Sequence, residues 1–208
     1  MVRHLFIALL TATLMMGSVS VASADASADF EKGKAAHKTG NFAQAMWWYR
    51  KAAELGHAKA QILLGWMHYK GQGVTQDYAQ AVKWYRKAAE LGYEIGQHNL
   101  GVMYDKGQGV TKDYTQAVKW WRKAADQGYA NAQANLGVMY DRGRGVTEDY
   151  SHAVKWYRKA ADQGHAPAQD NLGWMYEMGQ GVTQDGAQAL AYSVTGTMGS
   201  RLFCHVSP

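Results

Sequence analysis

Three asparagines stand 36 residues apart, at Asn99, Asn135 and Asn171. A carboxamide carries both a donor and an acceptor, so a row of them at constant spacing suits the main chain of a bound peptide. The same amides would equally serve to tie neighbouring loops inside the protein, as polar groups in a packed stack do. Leu63 interrupts the row one period earlier. A second series, Trp66, Val102, Val138 and Trp174, lies beside a recurrent glycine and changes identity while its surroundings stay constant. A position that stacking does not fix is free to meet a ligand, or is a tolerant outer core position, and tryptophan is a frequent interface anchor. Tyr69, Asp105, Asp141 and Glu177 form another varying series. The expected partner-binding residues are Asn99, Asn135, Asn171, Trp66, Trp174 and Tyr69.

Other chemistry is poorly supplied. Lys83, Lys119 and Lys155 recur with Arg86, Arg122 and Arg158. They would attract an acidic surface, but Glu90, Asp126 and Asp162 on the same segments offset them, so a solvated helix face is expected. None of the eight histidines forms a ligand pair at helical or turn spacing, and His57 and His165 alternate with Tyr93 and Tyr129 in a packing slot. No metal site and no cofactor is expected. Neither Ser-x-x-Lys nor Gly-x-Ser-x-Gly occurs, and Gly71-Gln72-Gly73 with its copies ends a helix rather than following a strand. The chain reads as a binding protein, not an enzyme.

These residues are carried by an internal repeat. Gly65, Gly101, Gly137 and Gly173 are each 36 apart, as are Trp48, Trp84, Trp120 and Trp156, and Asp77, Asp113, Asp149 and Asp185. Each unit is predicted to hold two helices. Helix A, typified by 130–141, gathers Ala130, Gln133, Leu136, Gly137 and Tyr140 on one face. Gly137 costs helix stability by roughly 1 kcal/mol relative to alanine, which implies a close neighbour that admits no side chain. Gly143 suits the left-handed end of that helix, Val146 plugs inward, and Asp149 suits an N-cap for helix B. Glutamine three residues after the cap at Gln80, Gln116 and Gln188 would complete a capping box. Helix B, about 150–162, carries an apolar stripe of Ala153, Trp156, Tyr157, Ala160 and Ala161. One pair cannot bury both faces, so stacked pairs are expected: an all-α, right-handed α-solenoid.

The pattern Ala-x-Ala-Gln-x-x-Leu-Gly-x-x-Tyr-x-x-Gly-x-Gly-Val-x-x-Asp-Tyr-x-x-Ala-x-x-Trp-Tyr-x-Lys-Ala-Ala-x-x-Gly resembles the Sel1-like repeat, a relative of the tetratricopeptide repeat, over roughly residues 30–192. The resemblance implies that helix A lines a concave face on which asparagines hold a peptide backbone. It also implies a scaffold or adaptor for a protein or peptide partner, in bacterial envelope signalling, regulation of membrane complexes or host interaction. Cysteine-rich members are linked to penicillin binding or β-lactamase activity, but their paired cysteines are missing here. A purely structural spacer is the other alternative.

The organisation expected is a short first unit at 30–57, full units at 58–93, 94–129 and 130–165, and an incomplete unit at 166–192. Gly40 precedes Ala45 by 5 residues where Gly71 precedes Ala81 by 10, so the first hairpin should turn more tightly. The last unit departs from the pattern after Asp185, with Gly186 for the usual tyrosine and Tyr192 for the tryptophan, and 193–208 read as an irregular tail or a lost helix.

Upstream, Arg3, the apolar run Leu5 to Met16 and the small residues Ala22-Ser23-Ala24 read as an export signal cut after Ala24, followed by a short linker at 25–29. A periplasmic or secreted protein without stable membrane insertion is expected. Removing 1–24 takes Arg3 and no acid, so the net charge falls from +5 to +4, too mild to imply nucleic-acid binding. The single cysteine, Cys204, allows no internal disulfide, so stability must come from packing. The oligomeric state is left open.

Overall fold

The computed structural model describes residues 24–195, and every regular element among them is a helix. The expected export signal up to Ser23 and the end of the chain from residue 196, with Cys204, lie outside the described residues. The chain divides into two compact units, one up to Leu91 and one from Gly92. The first holds α1 (24–38), α2 (Phe42–Glu54), α3 (Ala58–Lys70) and α4 (Tyr78–Glu90). The second holds α5 (Glu94–Lys106), α6 (Tyr114–Asp126), α7 (Ala130–Asp141), α8 (Tyr150–Ala161), α9 (Ala166–Met178) and α10 (Gly186–Thr195). Odd-numbered helices occupy the A position of a hairpin and even-numbered helices the B position.

Each helix begins and ends for local reasons. Asp77, Asp113 and Asp149 adopt extended backbone, and their carboxylates accept the amide three residues on, at Gln80, Gln116 and His152. Asn41 caps α2 in the same way. Left-handed Gly71, Gly107 and Gly179 close α3, α5 and α9. The second glycine of each Gly-x-Gly answers to a different demand. A side chain on Gly73 would meet the backbone of Phe42 at 2.8 Å, and Gly145 and Gly181 press on the backbones of Tyr114 and Tyr150 in the same manner. The loop of one hairpin thus leans on the first turn of the B helix before it.

Packing within each hairpin turns on the A-helix glycine. A β-carbon on Gly65 would lie 2.5 Å from Cε1 of Tyr85, and one on Gly101 2.5 Å from Nε1 of Trp121. Gly137 faces the ring of Tyr157, and Gly33 that of Tyr49. The expected close neighbour is therefore an aromatic ring of the partner helix. The rings lie amid buried alanines: Ala45, Ala52 and Ala60 with Leu64 and Met67 in the first unit, and Ala153, Ala160 and Ala168 with Leu172 and Met175 in the second. Val74, Val146 and Val182 pack from the loops onto these clusters.

One expectation is corrected and two are refined. Residues 25–29 are not a linker: they form the opening turns of α1, where Ala26 is buried and Asp29 pairs with Lys32 at 3.0 Å and Lys51 at 3.6 Å. Of the two alternatives for the end of the array, the lost helix is set aside. Asp185 caps it through the amides of Ala187 and Gln188, Ala189 is buried, and Tyr192 stacks on Tyr176 at 5.9 Å, so α10 continues to Thr195 despite Gly186. In the basic row Arg122 and Arg158 are exposed and also donate to the hydroxyls of Tyr140 and Tyr176 on the next A helix.

Candidate functional site

The three asparagines lie half-buried on α5, α7 and α9. Two of them are joined, through a residue the repeat pattern did not single out. His98 Nδ1 lies 3.3 Å from Asn99 Oδ1, and Asn135 Nδ2 lies 3.2 Å from His98 Nε2. An amide oxygen only accepts and an amide nitrogen only donates, so the ring carries its proton on Nδ1, donates to Asn99 and accepts from Asn135. Asn171 has no such bridge, because Ala134 stands at the position of His98 one repeat on.

A second polar chain runs beside the first. Nδ1 of His165 accepts the amide of Ala168, which leaves the proton on Nε2 for Asn131 Oδ1 at 2.9 Å. Asn131 Nδ2 then donates to the Tyr129 hydroxyl at 3.1 Å, and the Tyr129 ring meets His98 edge-on at 5.1 Å. Burial lowers the pKa of His98 against the bond to Asn99, and the charge of His165 lowers it further. Burial also lowers that of His165. His57 and His165 do more than fill a packing slot: both cap an A helix through Nδ1. Tyr93 and Tyr129 at the same place make no side-chain cap.

The aromatic candidates fall on both units. Trp66 on α3 is 36% exposed and Trp174 on α9 is 37% exposed. Val102 and Val138 in the same slot pack partly against the core, so this position lies at the edge of the packed surface. Trp66 also contacts the ring of His37 at 6.3 Å. Tyr69 is half-buried against Tyr78, and its carbonyl accepts from Gln76, so it supports the α3–α4 loop as well as facing outward. On the B helices, Lys87, Lys123 and Lys159 lie over the rings of Trp84, Trp120 and Trp156 at 4.3–4.6 Å, a cation–π series that repeats with the period.

Among the described residues no three His, Cys, Asp or Glu side chains gather as a metal site, and no helix is long and apolar enough to cross a membrane. The A helices offer a partly exposed indole in the first unit, and hydrogen-bonding amides with another partly exposed indole in the second.

Hairpins joined by a Gly-x-Gly-Val loop and packed ring-on-glycine define an all-α, right-handed solenoid of helix-turn-helix repeats. The Sel1 repeat profile matches residues 30–57, 58–93, 95–129, 130–165 and 166–193, and the chain belongs to the Sel1 repeat family. Sel1 repeats are protein-interaction scaffolds. The structure is similar to a protective antigen of uropathogenic Escherichia coli with the same repeat fold, at 46% identity and a TM-score of 0.78. That match covers 82% of this chain and only 38% of the antigen. A Sel1 repeat protein from Oxalobacter formigenes is 37% identical with a TM-score of 0.75, over 80% of this chain and 69% of that one. A Sel1 repeat protein from Klebsiella pneumoniae is 26% identical with a TM-score of 0.54, over 84% and 88%. No curated protein sequence matches the chain significantly.

Proposed function

We propose that this chain is an exported, non-enzymatic adaptor that holds an extended segment of a protein partner on its helix-A face, in bacterial envelope signalling or host interaction. Asn99, Asn135 and Asn171 grip the main chain, and Trp66, Trp174 and Tyr69 anchor apolar side chains. The observation that carries the reading is the state of the two linked amides. Asn99 spends its oxygen on His98 and keeps its NH2, whereas Asn135 spends its NH2 and keeps its oxygen. One repeat apart, the pair offers a donor and an acceptor, the complement of a peptide C=O and N–H. The signal-like first 24 residues support export, and the similarity to a protective antigen of uropathogenic E. coli supports a host-facing role.

The test is affinity capture from envelope extract with wild type and with the Asn99→Ala/Asn135→Ala double variant. A partner retained by the first and lost by the second supports the reading. Equal capture by two equally folded proteins refutes it.

A further inference from the structure

Resting on that reading, we propose that His98 is the positioning residue that sets which edges of Asn99 and Asn135 face a partner, and that its protonation turns the mixed donor–acceptor pair into two donors. Peptide capture on this face then weakens in acid.

The valence of an imidazole dictates this coupling. Its two nitrogens lie within hydrogen-bonding distance of one side-chain amide each, at 3.3 and 3.2 Å. A neutral ring has one donor and one acceptor, so one asparagine must turn its oxygen inward and the other its NH2. This holds for either tautomer: the outward pair is always one NH2 and one oxygen. A protonated ring has two donors. Both asparagines then turn their oxygens inward and present only NH2 groups, a pattern that suits two acceptors and mismatches a peptide N–H. A buried donor facing a donor is costly, which makes the rearrangement follow the proton.

Among the described residues nothing around the ring fixes it in one state. His165 is locked by the backbone amide of Ala168, and through it Asn131 and Tyr129 are locked as well. Among the described residues the ring of His98 bonds only to side-chain amides, which can turn over. From α6, Trp121 Nε1 donates to its backbone carbonyl at 3.1 Å and leaves the imidazole free to change. The groups facing the ring are Asn99 on α5, Asn135 on α7, Tyr129 in the α6–α7 turn and, acting through its charge, His165 at the start of α9. Burial and His165 both favour the neutral ring, so the mixed pair is the resting state and acid is the perturbation.

Two measurements on the full chain test this. The first follows the ring nitrogens of His98 and the side-chain NH2 groups of Asn99 and Asn135 by nitrogen-15 NMR between about pH 8 and 5. The NH2 of Asn135 is expected to titrate with the midpoint of His98 and to stop titrating in His98→Gln, which keeps a donor and an acceptor but no titration. An Asn135 amide that ignores the protonation of His98 overturns the inference. The second uses heptapeptides selected by phage display near pH 7.5 that depend on Asn99 and Asn135. Wild type should bind them about tenfold more weakly near pH 5, while His98→Gln changes by less than about twofold. An equal acid loss in both proteins overturns the inference while leaving the peptide-binding reading intact. Failure to select any Asn99- and Asn135-dependent peptide defeats that reading, and the inference about capture falls with it.

Discussion

The ring of Tyr157 packs too close to Gly137 to admit a β-carbon there. The glycine sits inside α7, where its own conformational freedom is a cost, and the ring it admits is among the most deeply buried in the second unit. Close approach of helix to ring outweighs helix propensity at this position. The same relation joins Gly65 to Tyr85 and Gly101 to Trp121.

Gly137→Ala is therefore expected to destabilise. Alanine recovers roughly 1 kcal/mol of propensity, but overpacking a tight contact costs about 1–3 kcal/mol. Urea titration should show a net loss, and a double-mutant cycle with Tyr157→Leu should show favourable coupling. A stabilised Gly137→Ala protein would show that the ring moves aside without cost.

Leu91→Gln is expected to stabilise. Gln97 Oε1 accepts from Gln127 at 2.8 Å, and Gln133 Oε1 accepts from Gln163 at 2.8 Å. The corresponding Oε1 of Gln61 is buried without a partner among the described residues, because the residue 30 positions on is Leu91, which is 53% exposed. Supplying the amide should add about 1 kcal/mol, read as a higher urea midpoint at unchanged slope. No gain in Leu91→Gln, or an equal gain in Leu91→Ala, would discount the bond.

Stability should fall as the solution is acidified. His68 is 4% exposed and its ring makes no hydrogen bond among the described residues. Its pKa is lowered by burial and by the Arg50 guanidinium, against Asp77. Burial likewise lowers the pKa values of His57, His98 and His165. A depressed histidine is neutral in the folded state while the unfolded one still binds protons. The contribution is complete above about pH 6.5 and is lost as pH falls from there toward the folded pKa values. Arg50 precedes His68 by the offset that separates Arg122 from Tyr140 and Arg158 from Tyr176. His68→Tyr should therefore place a hydroxyl near Arg50 and flatten part of the acid loss. Melting curves from about pH 7.5 to 5 that superimpose for the two proteins would contradict this.

Alanine at Trp66 or Trp174 should lower the melting temperature less than alanine at the buried Tyr157, since both indoles are about one-third exposed. Capture of the partner should weaken by about tenfold or more if the indoles are anchors. A large loss of stability with intact capture would assign them to the packed core.

The period-36 series made most of the fold legible, because caps, loop glycines and ring-on-glycine contacts are all repeated and so stand out from a single chain. What was hard to read occurs once. His98 has isoleucine, alanine and aspartate as counterparts at Ile62, Ala134 and Asp170, so a pattern averaged over units hides it. The helix α10 was obscured by Gly186 and Tyr192, which break the consensus, although the Asp185 cap and the buried Ala189 are enough to keep it. Residues 25–29, small and polar, read as a linker because nothing local reveals that Asp29 will meet Lys51 on the next helix.

The loop glycines also give the array a polarity in time. Gly145 rests on Tyr114 and Gly181 on Tyr150, each time on a helix already passed in the chain. A polypeptide leaving a ribosome or a translocation channel N-terminus first always meets its support ready-made, so each hairpin can settle as it emerges, with no wait for the next.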